Sequence, residues 1–246
     1  LFQTEKGRDE MFEREVVSDM MWRLEAEEEA RPVVAVNADF WGERSVPINL
    51  FVDEGMIWRG PHYYRQGGEL KTRSVLAFDE EGNWAIGLPE FEAEVRGEEE
   101  NEILRVMAVN FPQANFPATI YTWPLGDEAP ARAEGEHRYQ LFLKDSEWVP
   151  NGGPVRARIA PILNNEPGLL GKNLAVLGYQ GDVPAWLDGA EKVELIARLG
   201  NVPGKVAGAV GGGPMLVENG ENVIRGKKEK EGFSDRFISI HPPRTA

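Results

Sequence analysis

Near the start of the chain, apolar residues recur every fourth position: Phe12, Val16, Met20 and Leu24, with Val17 and Met21 widening the stripe. That rhythm predicts one amphipathic helix over residues 9–30. Glu25 to Glu29 crowd its C-terminal end, where the helix dipole disfavours negative charge, and Arg31-Pro32 stops it. The rhythm then changes. Residues 33–36 (Val-Val-Ala-Val) form a short apolar run of the buried-strand type. Segments 48–53 and 56–59 flank Asp53-Glu54-Gly55, and segments 74–79 and 83–88 flank Glu80-Glu81-Gly82, two hairpin signals of the same make. Further strands are expected at 103–109, 119–123, 139–143, 155–162, 174–179, 192–199, 215–217 and 237–240, with a short helix at 185–187. Many short strands, Gly and Pro punctuation and few helices predict an α+β fold of mixed, mainly antiparallel sheets. No linker or internal repeat divides residues 1–246.

Charge and composition narrow the functional classes. No stretch approaches the ~18 consecutive apolar residues of a membrane span. The absence of cysteine excludes disulfides and thiolate metal sites, and a thiol nucleophile with them. A net charge of −14 argues against nucleic acid as a partner. The charge is uneven: residues 1–221 carry 21 basic against 38 acidic side chains, whereas residues 222–246 carry six basic against three acidic. Within that segment, residues 227–230 read as a solvated charged run.

Three segments could carry chemistry. Asn37 and Asp39 follow the run 33–36, and alternation puts them on one face at a strand end, where they could hold a sugar or orient a water. An Asx-turn closing the strand explains them equally well. Gly211, Gly212 and Gly213 cost backbone entropy and so suggest a tight path or close approach to a ligand. Their N–H groups could form an anion nest, or the glycines could simply make a bulge before the next strand. Arg244 follows two stiffening prolines and has the fork suited to a phosphate, although a surface arginine would look the same. His62, His137 and His241 lack ligand-like spacing, so no metal site is expected. Trp41 and Trp58 are candidate sugar-stacking platforms.

Taken in order, several segments resemble the phosphodiester glycosidase family. They are the run 34–41 (Val-Ala-Val-Asn-Ala-Asp-Phe-Trp), the hairpin 47–57, Arg73-Ser74-Val75-Leu76-Ala77-Phe78-Asp79 with Gly82, and Val109-Asn110-Phe111 followed by 120–126. Gly211 to Val217 with Asn219-Gly220, and His241-Pro242-Pro243-Arg244-Thr245-Ala246, complete the set. Asp39 stands where that family commonly has glycine. The resemblance implies hydrolysis of the bond between a sugar's anomeric carbon and a phosphodiester, in a glycan or envelope polymer, without a cofactor. It implies catalytic roles for Asn37, Asp39 and Arg244, and substrate contacts from Gly211, Gly212, Gly213, Arg244 and Trp41. An extracellular, periplasmic or cell-surface location goes with it. Family members continue past Arg-Thr-Ala into an Asp-Gly-Arg segment and an Asp-Gly-Gly-Gly-Ser motif. Residues 1–246 are therefore expected to lack the C-terminal part of the domain, with a second chain or fragment completing it. A non-catalytic glycan-binding or envelope domain on the same scaffold is the alternative.

Overall fold

Two φ-positive residues, Glu54 (50°) and Gly55 (79°), turn the first hairpin. Paired positive φ values match the right-handed twist of the flanking strands, which makes this the favoured two-residue connection. A computed structural model describes residues 17–26, 39, 47–99, 101–144, 148–163, 166–224, 226 and 230–234. In chain order the elements are α1 (Val17–Ala26), β1 (Phe51–Asp53), β2 (Met56–Arg59), β3 (Tyr64–Gln66), β4 (Glu69–Lys71), β5 (Val75–Asp79) and β6 (Trp84–Gly87). They continue with β7 (Phe91–Arg96), β8 (Ile103–Arg105), β9 (Ala108–Val109), β10 (Ala118–Tyr121), β11 (Glu136–Leu143), β12 (Val155–Pro161) and β13 (Leu174–Gln180). Last come α2 (Ala185–Asp188), β14 (Lys192–Leu199), β15 (Val206–Gly211), β16 (Val217–Glu218) and β17 (Glu221–Asn222). The fold is α+β and mainly sheet, and the pairing is antiparallel except between β9 and β10.

Of the two larger sheets, one has five strands in the order β2-β1-β15-β5-β6 and the other eight in the order β8-β7-β14-β12-β11-β13-β10-β9; β3-β4 and β16-β17 form two-stranded sheets. The eight-stranded sheet cannot be flat. Its two outermost strands, β8 and β9, are separated by only Val106 and Met107. Three peptide steps reach about 11 Å, whereas seven inter-strand gaps in a flat sheet need about 33 Å. The sheet therefore curls until its edges meet, and the Val106 N–H donates to the Ala93 carbonyl at 2.7 Å where the chain crosses between them. This crossing breaks the strand expected at 103–109 into two.

Alternation along the strands fills the interior. Leu50, Val52, Ile57, Val75 and Ala77 from the five-stranded sheet share one apolar core with Val95, Ile120, Leu141, Leu177 and Leu195 from the other. Burying each such branched side chain contributes about 1.5–3 kcal/mol. Asn110, 1% exposed and at φ 63°, ties the sheets together. Its Nδ2 donates to the Trp58 carbonyl (2.8 Å) and the Thr122 hydroxyl (2.9 Å), and its Oδ1 accepts the Thr122 N–H at 2.7 Å. This amide fixes the end of β2, where the candidate site begins. Among the described residues no helix is long and apolar enough to cross a membrane.

Candidate functional site at one edge of the five-stranded sheet

Antiparallel neighbours run in opposite directions, so the ends of β2 and β15 meet the beginnings of β1 and β5 along one edge. The register pairs Phe51 with Arg59 and with Val210, and Gly211 with Val75. Arg59, Asn49, Gly211 and Ser74 therefore lie in a row at that edge, although they are scattered in sequence.

Asp39 closes on this row. Its N–H donates to the Gly211 carbonyl at 2.7 Å, and its carboxylate accepts the Asn49 N–H (3.1 Å) and the Asn49 side-chain amide (2.5 Å). Asp39 adopts φ 59°, a conformation that aspartate tolerates better than most residues. The carboxylate reaches Asn49, two residues before β1. Asn37, Trp41 and Arg244 lie outside the described residues.

The three glycines divide the work. A Cβ on Gly211 would overlap Asn49 and come within 2.9 Å of Asp39 Oδ1. One on Gly213, at φ 108°, would overlap the Glu231 carboxylate. Among the described residues nothing lies within 4 Å of where a Cβ on Gly212 would go. Its N–H already donates to the Ser74 carbonyl at 2.9 Å, and the Met215 N–H to Glu231 Oε1 at 2.9 Å. The backbone nest suggested by the sequence thus has its Gly212 donor engaged inside the protein, and the nearby Met215 N–H is engaged as well. The strand expected at 215–217 is cut back to β16 by this corner.

Glu231 is fully buried, directly after the charged run read as solvated. Its Oε2 accepts the Ser74 N–H at 3.0 Å, and its backbone carbonyl accepts the Tyr64 hydroxyl. It thereby joins the start of β5, the glycine corner and β3. Trp58 is a correction to the sequence reading. It is 5% exposed, packed against Phe51 and edge-on to Trp123 at 5.9 Å, and so belongs to the packing beneath the edge.

Cationic groups border the same edge. The Arg59 guanidinium donates to the Pro47 carbonyl and lies 3.8 Å from the Phe111 ring centroid. Burial lowers its pKa to about 10, against the opposing pull of Asp39, and it stays charged at neutral pH. Arg73 sits over the Phe233 ring at 4.7 Å. Burial, then Arg59 and Arg73, push His62 below its ordinary value, so it is neutral near pH 7. Burial also raises Tyr64, with Glu231 adding to that and Arg73 opposing it.

Four buried polar atoms at this edge have no hydrogen-bond partner among the described residues: Asn49 Oδ1, His62 Nδ1, Thr72 Oγ1 and Ser74 Oγ. Buried polar groups are nearly always paired, so a cluster of orphans is a place for water or a ligand. Two cavities lie elsewhere. One, of about 20 Å³, is lined mainly by apolar residues such as Met56 and Leu174. The other, of about 820 Å³, opens along the loop from Glu128 to Glu136; it is lined by three acidic side chains, of which Glu136 is paired with Arg138, and by Arg132. Among the described residues no group of three or more His, Asp or Glu could hold a metal.

The sequence reading missed Asn49, Arg59, His62, Arg73 and Glu231. Arg73-Ser74 and the hairpin ending in Arg59 were noticed as pattern, but which side chains converge depends on strand register. Glu231 carried no signal at all.

No protein-family model matches the chain, and none of the curated proteins compared with it matches. The structure is similar to the crystal structure of a hypothetical protein from Synechocystis, with a TM-score of 0.56 and 18% sequence identity. The likeness covers 86% of this chain and 37% of that one, and it bears on the fold alone.

Proposed function

We propose that this chain is a hydrolase of sugar 1-phosphodiesters, of the phosphodiester glycosidase kind, acting on a glycan or envelope polymer outside the cytoplasm. The observation that carries the reading is the docking of Asp39 onto Gly211 and Asn49, beside orphaned polar atoms and the Arg59–Arg73 cations. A sugar phosphodiester needs both halves of such a site: an anion clamp, and neutral acceptors and donors for hydroxyl groups. Arg59 and Arg73 suit the phosphate, with Arg244 joining them by resemblance. The orphaned Asn49 Oδ1 suits a sugar hydroxyl or the attacking water, and the Asp39 carboxylate, by holding the Asn49 amide, sets the direction of that oxygen. Gly212, with no side chain and no described residue within 4 Å of where a Cβ would go, admits the substrate close to the backbone.

In the reaction the C1–O bond to phosphate breaks, the water oxygen joins C1, and the departing phosphomonoester retains the bridging oxygen. Phosphate is a good leaving group, so the main demand is charge stabilisation around an oxocarbenium-like centre. Release of reducing sugar from a sugar 1-phosphodiester, measured beside a neutral aryl glycoside of the same sugar, tests the reading. Saturable binding with no sugar released would replace it with the glycan-binding reading.

A further inference from the structure

The row of cations contains one neutral member, and its surroundings give it a task. His62 follows β2 by three residues, in the turn that leads to β3, with its ring edge-on to Tyr64 at a centroid distance of 6.0 Å. Its Nδ1 is buried and has no partner among the described residues. Arg59 and Arg73 both act on it, and each is held in place. Arg59 is fixed by the Pro47 carbonyl and the Phe111 face, and Arg73 by the Phe233 face. The other ionisable groups nearby are Asp39, which faces Arg59, and Glu231, which acts on Tyr64. Among the described residues no carboxylate acts on His62 itself.

We propose that His62 is the proton-coupled member of the phosphate subsite, taking up a proton and donating through Nδ1 when a phosphodiester oxyanion docks between Arg59 and Arg73. This rests on the reading that the edge accepts a phosphodiester. Two guanidinium groups disfavour a third cation between them, so the empty site keeps the imidazole neutral. An oxyanion reverses that balance. It cancels the guanidinium field, and its oxygen supplies the acceptor that a protonated Nδ1 needs. Anion binding and protonation of His62 must then favour each other reciprocally, because the two equilibria are linked. The subsite binds more tightly as the medium is acidified towards the ordinary histidine range, and it loosens above that range.

The test uses dimethyl phosphate and sulfate with the full chain, because neither ion titrates near neutrality and any proton taken up belongs to the protein. The His62 ring resonances are followed against pH with and without each ion, assigned by their loss in His62→Asn. Binding is measured calorimetrically in two buffers of different ionisation enthalpy. The expected result is an upward move of the His62 midpoint with dimethyl phosphate and net proton uptake that disappears in His62→Asn. Arg73→Gln should weaken binding by on the order of tenfold or more, and Arg73→Lys should keep the proton coupling while weakening binding less. An unmoved His62 midpoint, uptake that survives His62→Asn, binding of sulfate but not of the diester, or no binding of either ion would each overturn the proposal. Sugar release by the unaltered chain is scored separately. Release with an unmoved His62 defeats only this inference, and a moved His62 without release defeats only the hydrolase reading.

Discussion

Asp39 and Gly211 are joined by a 2.7 Å backbone hydrogen bond, with the Asp39 carboxylate folded onto Asn49 beside it. The contact brings an early loop to the end of β15, and it requires position 211 to have no side chain, since a Cβ there would meet both Asn49 and Asp39. Gly211→Ala should therefore push Asp39 off the edge. The expected cost is about 1–3 kcal/mol of stability, the usual range for overpacking, together with loss of sugar release. Asn49→Ala should act more gently on the fold and still disturb Asp39. Urea unfolding and steady-state kinetics measure the two effects. Full activity in both variants would remove Asp39 from the site.

Gly212 and Gly213 separate function from folding. Among the described residues Gly212 has nothing near where a Cβ would go, whereas Gly213 combines φ 108° with the buried Glu231 carboxylate. Gly212→Ala should leave the unfolding midpoint within about 0.5 kcal/mol of the parent, as for an uncrowded surface change. It should still slow turnover if substrate lies against that backbone. Gly213→Ala should lower stability by more than 1 kcal/mol, since it adds positive-φ strain to a steric clash. Equal stability of the two variants would contradict this division.

Much of the fold follows from short-range pattern, and the site does not. Glu54-Gly55 and Gly82 marked their hairpins because positive φ at a turn favours few residues, and Lys192–Leu199 alternates plainly enough to give β14 its bounds. β7 was missed although Phe91, Ala93 and Val95 alternate with Glu92 and Glu94 in the strand period. The helix at 9–30 is described only over Val17–Ala26, and the strands expected at 33–36 and 237–240 lie outside the described residues. Closure of the eight-stranded sheet had no local signature, since β8 and β9 find partners at opposite ends of the strand order. At the site, Asp39 and the glycines were picked out by strand-end position and backbone cost, together with the resemblance. Asn49, Arg59, His62 and Arg73 meet only through register, and a buried Glu231 contradicts what its charged neighbours suggest.

The β5–β6 turn predicts a pH effect remote from the site. Asp79 is held below the ordinary carboxylate range, first by the Asn83 side chain, against burial, and then by the N–H groups of Asn83, Gly204 and Glu81. Those contacts measure 3.0, 2.8, 3.0 and 3.1 Å. A carboxylate with a depressed folded-state pKa contributes stability that is complete above its unfolded value and is lost as pH falls through the folded one. Asp79→Asn should therefore be most destabilising near neutrality, and its difference from the parent should narrow as the medium is acidified below pH ~4. Urea unfolding across that range checks the sign. A gap that widens towards acid would show that another interaction governs the turn.

Arg244 lies outside the described residues, and its proposed role can be tested by kinetics alone. A chain with net charge −14 repels a phosphodiester at long range. Salt screens that field beyond about 8 Å under physiological conditions, so capture falls to local cations. Arg59 and Arg73 provide two at the sheet edge, and Arg244 belongs to the only stretch of sequence singled out for a positive balance, behind two prolines that limit its freedom. Arg244→Lys keeps the charge and loses the bidentate fork, so kcat/KM on a sugar 1-phosphodiester should fall by roughly the 1.5–3 kcal/mol of a charged hydrogen bond. Arg244→Ala should cost more. If the guanidinium holds phosphate, a neutral aryl glycoside of the same sugar should lose far less in both variants, because it offers nothing for the fork to grip. An equal loss on the two substrates would mean that Arg244 supports the fold, and would leave the phosphate to Arg59 and Arg73.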